Sequence, residues 1–121
     1  WIHLDTFPCN AHTTASDALR SGVPVLTYKG KTFASRVAAS LNYSFGLSDL
    51  VAKDDKEYLD LATEIGNNSE KLLHFKKLVN ENFDKKPLFD TKSFTKNLEK
   101  AYIKIYQNYK AGIQAENLFI E

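Results

Sequence analysis

Residues 2–28, IHLDTFPCNAHTTASDALRSGVPVLTY, decide the fold. Ile2 to Phe7 predicts a short strand that stops at Pro8, and Cys9 to His12 read as a loop. Thr13 or Thr14 can cap a helix. Thr14-Ala-Ser-Asp17 has capping-box spacing, in which an acidic side chain at the third helical position closes back on the cap. Ala15, Ala18 and Leu19 follow at helical spacing, and Gly22 ends the helix. Val23 to Tyr28 then predicts a second strand, buried and partly β-branched. Strand, loop, short helix, strand is a βαβ unit, which pairs its strands in parallel with a right-handed crossover.

Outward from that unit, Gly30 marks a turn, and a helix is expected from about Thr32 to Leu41 with Phe33, Val37, Ala38 and Leu41 on one face. A short strand near Leu50 to Ala52 would add to the sheet. Asp54 can cap a helix carrying Tyr58, Leu61, Ala62 and Ile65, which Gly66-Asn-Asn68 breaks. Ser69 can cap the next, with Leu72, Phe75, Val79 and Phe83 inward. Pro87 interrupts. Thr91 can cap a long last helix with Phe94, Leu98, Tyr102, Ile105 and Tyr109 on one stripe, ending at Gly112. The expected organisation is a single partial domain over 1–121: a βαβ segment over 1–52, a helical segment over 53–112, and a tail over 113–121. Parallel sheets are normally covered on both faces and contain more strands than this. The chain also lacks methionine. Both features lead us to expect a segment of a longer protein.

Composition bounds the function classes. A net charge of +1 supplies no field for nucleic acid or an anionic membrane, and neither is expected as a partner. No apolar run approaches membrane-spanning length and no signal peptide opens the chain. The single cysteine, Cys9, cannot form an internal disulfide, which fits a reducing compartment and predicts the cytoplasm.

In open α/β sheets, ligands bind beyond the carboxyl ends of the strands. Cys9 to Asp17 occupies that position and opens into a helix, whose first N–H groups and partial positive charge suit phosphate. The Thr13 and Thr14 hydroxyls could add donors, and Asp17 could accept from ribose hydroxyls. The same residues also serve as a plain capping box, and no glycine-rich fingerprint separates the two readings.

Three stretches resemble the donor-binding segment of the O-linked N-acetylglucosamine transferases: Leu4-Asp-Thr-Phe-Pro8, Asn10-Ala-His-Thr-Thr-Ala-Ser-Asp-Ala-Leu19 and Gly22-Val-Pro-Val-Leu26. Bacterial members with tetratricopeptide repeats look most similar. Thr32-Phe-Ala-Ser-Arg-Val-Ala-Ala-Ser40 is similar to the helix that follows in that family. Pro87-Leu-Phe-Asp-Thr91 and Phe94-Thr95, with Leu98, Glu99, Tyr102, Tyr106, Tyr109 and Gly112, resemble its C-terminal segment.

The resemblance implies an α/β fold: the C-terminal portion of a Rossmann-like, GT-B type nucleotide-sugar-binding domain, with few parallel strands followed by several helices. It implies transfer of N-acetylglucosamine from UDP-N-acetylglucosamine to serine or threonine hydroxyls of proteins, without a metal or other cofactor. Thr13 and Thr14 would hold the diphosphate, Asp17 would bond the ribose, His12 would line the donor pocket, and Cys9 would approach the sugar and its N-acetyl group. Protein acceptors would be held by other parts of the parent protein, and this segment would pack against the rest of the catalytic region. Two positions depart from the family pattern. Arg20 stands where many relatives have an aromatic residue, and Ala11 replaces a glycine of some members. The uracil pocket, a phosphate-binding lysine and the acceptor-side catalytic groups precede the segment, so no catalytic residue is assigned.

Other polar residues are weighed lower. Cys9 and His12 are too few for a metal site. His3 reads as structural, and His74 as surface or boundary. Asp5 stands where a phosphoacceptor aspartate would, without the accompanying acidic cluster. Lys29, Lys31 and Arg36 could reach an anion, though solvated side chains are the plainer reading. The Tyr102, Tyr106 and Tyr109 group fits helix packing better than base stacking. Two alternatives stay open: a noncatalytic interaction module built on the aromatic last helix, and a related transferase using GDP-fucose or UDP-glucose.

Overall fold

A computed structural model describes residues 1–120. The chain forms two compact units, Trp1–Leu88 and the residues from Phe89 onward. The first holds β1 (His3–Leu4), α1 (Thr13–Arg20), β2 (Val25–Tyr28), α2 (Val37–Phe45), β3 (Val51–Ala52), α3 (Asp55–Asn67) and α4 (Ser69–Asn82).

The strands form a sheet in the order β1-β2-β3. Both pairings are parallel: His3 lies beside Val25, Leu4 beside Leu26, Thr27 beside Val51 and Tyr28 beside Ala52. The expected βαβ unit is therefore present, and the third strand falls where the sequence placed it. Strand β1 is shorter than the Ile2–Phe7 expectation. After Leu4 only the Asp5 N–H still reaches across, donating to the Leu26 carbonyl at 3.0 Å. Beyond it the chain turns away through Pro8, which has no N–H to extend the ladder.

The central strand β2 buries Val25, Leu26 and Thr27. Helices α1 and α2 pack on it and on each other, while α3 packs on β2, β3 and α4. The core is Ala15 and Leu19 from α1, Ala38, Ala39 and Phe45 from α2, Leu47, Leu50 and Ala52, then Ile65, Phe75 and Val79 from α3 and α4. Two buried amides tie these layers by backbone bonds. Asn42 Nδ2 donates to the Val25 carbonyl at 2.8 Å, and Asn82 Nδ2 to the Phe45 carbonyl at 2.8 Å.

The expected Thr32–Leu41 helix is divided. A 3-10 turn occupies Phe33–Ser35, and α2 begins only at Val37. Arg36, at φ −130° and ψ −8°, breaks the helical path between them. Phe33 therefore leaves the apolar face and is 81% exposed. Helix α2 runs on to Phe45 and closes on Gly46 at φ +76°, a left-handed conformation that favours glycine.

Asp54 caps α3 as expected, accepting from the Glu57 N–H at 2.8 Å. The caps of the last two helices sit one residue before the expected hydroxyls. Asn68, not Ser69, caps α4, accepting from the Lys71 N–H at 3.0 Å. In the second unit Asp90, not Thr91, caps α5 (Thr91–Lys110), accepting from the Ser93 N–H at 3.0 Å. The stripe Phe94, Leu98, Tyr102, Ile105 and Tyr109 is exposed along α5. The tail expected over 113–121 has no helix or strand through Ile120, and its last residue lies outside the described residues. No helix among the described residues is long and apolar enough to cross a membrane.

Candidate functional site

The site segment leaves the sheet at the carboxyl end of β1. Asp5 is buried there, and its carboxylate gathers the loop that follows. One oxygen accepts from the Thr6 N–H at 2.8 Å and the Ala11 N–H at 2.6 Å; the other accepts from Thr27 Oγ1 at 2.6 Å. Thr6 Oγ1 donates to the Cys9 carbonyl at 2.7 Å. Asn10, also buried, donates its side-chain amide to the Thr6 carbonyl at 3.0 Å and its N–H to the Ala34 carbonyl at 2.8 Å. The loop thus bonds back to its own start, to β2 and to the 3-10 turn.

This scaffold presents α1. The helix begins at Thr13 with His12 as its N-cap, so the Thr14-to-Asp17 capping box does not form. This start is two residues earlier than a Thr14 cap would give, and it puts Thr14 inside the first turn, where its backbone is helical and its hydroxyl cannot act as the cap. No side chain of the cap bonds the first turn, and no acidic residue lies in it. The first helical ring closes between the Ser16 N–H and the His12 carbonyl at 3.2 Å. The N–H groups before Ser16 consequently have no intrahelical acceptor. Thr13, Thr14 and Asp17 are exposed, with Asp17 one turn beyond Thr13 on the same surface. Ala15 and Leu19 fill the buried face and hold the helix against the core.

His12 is exposed and sets its ring perpendicular to Phe33, centroids 6.0 Å apart. Cys9 is exposed with a free thiol, its Sγ 3.8 Å from the Asn10 carbonyl. The five residues singled out from the sequence therefore follow one another along a continuous loop and helix start. Among the described residues, no group of three or more His, Cys, Asp or Glu could hold a metal ion.

An aromatic support lies behind the loop. Phe7 stacks on Tyr28 at 4.5 Å, Tyr28 meets Tyr58 at 5.6 Å, and the Tyr58 hydroxyl donates to the Asp5 carbonyl at 2.8 Å. Burial, then the Asp5 charge and then Tyr28, raise the Tyr58 pKa above the ordinary phenol value. Burial followed by the Asp55 charge raises that of Tyr28. Gly30 fits this packing because a Cβ there would meet the Ser35 Cβ at 2.8 Å and the Phe7 ring at 2.9 Å.

Beside the segment opens a cavity of about 500 Å³, lined by Lys29, Phe33, Arg36, Ser40 and Tyr43 among others. Arg36 Nη1 donates to the Gly30 carbonyl at 3.0 Å, and Lys29 Nζ lies 3.5 Å from the Tyr43 hydroxyl. Lys31 is exposed.

The sequence reading weighed Asp5 only as a phosphoacceptor position and did not single out Asn10 or Thr27, yet these three residues organise the loop. One signal was available: Asp5 directly follows β1, and Thr27 is a polar residue inside the otherwise apolar or aromatic β2. Such a pair is satisfied when the strands are neighbours, as they are here.

Residues 1–98 match the model of glycosyl transferase family 41. A Hordeum vulgare protein described as a probable UDP-N-acetylglucosamine–peptide N-acetylglucosaminyltransferase SPINDLY is 39% identical over 111 residues, 92% of this chain and 12% of that protein. The UDP-N-acetylglucosamine–peptide N-acetylglucosaminyltransferase of Caenorhabditis elegans is 33% identical over 117 residues, 97% of this chain and 10% of that protein. A solved structure of a mutant O-GlcNAc transferase of Thermobaculum terrenum superposes with a TM-score of 0.81 at 34% identity, over 88% of this chain and 21% of the other. The chain spans no more than 12% of the length of either curated relative.

Proposed function

The chain belongs to glycosyl transferase family 41, and from that premise we propose that it forms the donor-binding C-terminal part of a longer transferase, one that moves N-acetylglucosamine from UDP-N-acetylglucosamine to protein serine or threonine. Its three parallel strands and following helices are a portion of a Rossmann-like, GT-B type fold. The observation that carries the proposal is the start of α1. It lies past the carboxyl end of a parallel strand, lacks a side-chain cap and any acid in its first turn, and exposes Thr13 and Thr14 beside its free N–H groups.

A diphosphate supplies the acceptors those groups lack, and the helix dipole favours its charge by about 0.3–1 kcal/mol. Thr13 and Thr14 hold the diphosphate in this reading. Asp17, one turn on, accepts from the ribose hydroxyls, while His12 lines the donor pocket and Cys9 approaches the sugar. The N–H groups and hydroxyls take the phosphate charge, so the reading includes no metal. Protein acceptors are held by the remainder of the parent, in the cytoplasm, a placement that rests on the free Cys9 thiol. The exposed α5 stripe favours a second role for the helical segment, packing against the rest of the catalytic region or another protein.

Backbone-amide NMR titration of the chain with UDP-N-acetylglucosamine and, separately, GDP-fucose tests the donor reading. Saturable shifts confined to about His12 through Asp17 with the UDP donor are expected. Shifts produced only by GDP-fucose, or centred elsewhere, would overturn it. In the longer parent protein, Thr14→Ala and Asp17→Ala should each lower transfer at limiting donor by about tenfold, from one lost hydrogen bond to a charged or buried polar partner. Full activity in both would refute the assigned roles.

A further inference from the structure

We propose that Asp5 is the positioning residue of the donor loop, holding His12 and the start of α1 in place through the Ala11 amide; this rests on the donor reading above. The Asp5 carboxylate bridges two structures that the sequence leaves six and twenty-two residues away. On one side it accepts from Thr27 Oγ1 inside the sheet; on the other it accepts from the Ala11 N–H, next to the N-cap of α1. The residue is itself held from three directions. Its N–H donates to the Leu26 carbonyl, its own carbonyl accepts from Tyr58, and its side chain is sunk to 7% exposure.

No described Lys, Arg or His forms an ion pair with this carboxylate. A buried carboxylate without a cation depends on hydrogen-bond donors, and two of its three come from the loop backbone. The bond to Ala11 is thus required by the carboxylate as well as by the loop. A helix start binds phosphate only if its N–H groups already point at the ligand. Loosening Ala11 lets the His12–Thr14 backbone fluctuate and costs donor affinity, although Asp5 touches no part of the donor.

The test compares wild type with Asp5→Ala, Asp5→Asn and Thr27→Val by hydrogen exchange at the Ala11 amide without ligand and by UDP-N-acetylglucosamine titration. Asp5→Ala should lose protection at Ala11 and raise the donor Kd about tenfold, as expected for one lost charge-assisted bond. Asp5→Asn should keep both properties. Its Oδ1 can accept from Ala11 while its Nδ2 donates to Thr27 Oγ1, whose hydroxyl can turn to the Tyr28 carbonyl already 3.4 Å away. Thr27→Val removes an Asp5 partner in the core yet leaves the loop bond, so it should lose stability without losing Ala11 protection or donor affinity. A folded Asp5→Ala with a protected Ala11 amide overturns the proposal. So does Thr27→Val showing the same losses as Asp5→Ala, which would reduce Asp5 to core packing. Should Asp5→Ala fail to fold, the Asn variant decides, and a freely exchanging Ala11 amide in it refutes the clamp. Wild type that binds no donor refutes the donor reading alone, because the exchange comparison still judges Asp5.

Discussion

Tyr58 carries the aromatic support behind the loop, and its ionisation gives that support a pH limit. The phenol donates to the Asp5 carbonyl, and burial raises its pKa above the usual 10.0. A raised folded-state pKa means the neutral phenol is favoured by folding. Its contribution is complete below the unfolded value, about 10, and is lost as pH climbs toward the folded one. Tyr58→Phe should therefore cost about 1 kcal/mol at pH 8, the worth of one such bond. The gap between variant and wild type in urea melts should shrink from pH 8 to pH 11. A constant gap would mean that the hydroxyl does not stabilise the folded state. Neither Tyr58 nor Asp5 was legible as a loop-holding residue in the sequence. Their bond joins positions fifty-three apart, and local spacing carries no record of such a pairing. The helix beginning near Thr13 was legible because a helix start is a local pattern.

At the level of elements, the first residues of α4 and α5 were misplaced for one chemical reason. Ser69 and Thr91 each follow an Asn or Asp, and the earlier carboxamide or carboxylate takes the cap. Asparagine and aspartate rank with or above serine and threonine at this position, and one extra helical residue follows from using them. Asn68→Ala should accordingly cost about 1 kcal/mol and Ser69→Ala much less, measured by chemical denaturation. The reverse order would return the cap to Ser69. Asp90 shows the same chemistry through pH. Hydrogen bonds from the Ser93 hydroxyl and N–H hold its carboxyl below its usual value of 3.8. A depressed folded-state pKa means its support of α5 is present above the unfolded value and lost as pH falls through the folded one. Helix content by circular dichroism should drop more steeply between pH 5 and pH 2 in wild type than in Asp90→Asn. Parallel curves would show that the cap contributes nothing.

For the whole molecule, the sequence pointed to a sheet that needs more than its own strands, and the structure supplies three short ones, two of them only two residues long. The order of elements was readable because apolar runs of strand and helix length alternate. The break at Arg36, which puts Phe33 beside His12, was not readable, since Phe33, Val37 and Leu41 keep helical spacing straight through it. On α5 the periodic stripe was correctly located, but periodicity alone does not show whether a surface covers it. It is exposed here, with Tyr102 at 62% and Ile105 at 52%. The chain should therefore bind an environment-sensitive hydrophobic dye. Tyr102→Glu with Ile105→Glu should lower that signal while changing the stability of the Trp1–Leu88 unit by no more than about 0.5 kcal/mol. Undiminished dye binding would place the sticky surface elsewhere.

The exposed thiol of Cys9 has a practical consequence. Because the chain contains one sulfur atom, a maleimide or iodoacetamide reagent has a single address. That address is three residues before His12, so a fluorophore attached there would report on the loop that leads into α1 without subtraction of other signals. Reaction at Cys9 followed with and without a nucleotide sugar then reads directly whether a ligand covers the loop before α1.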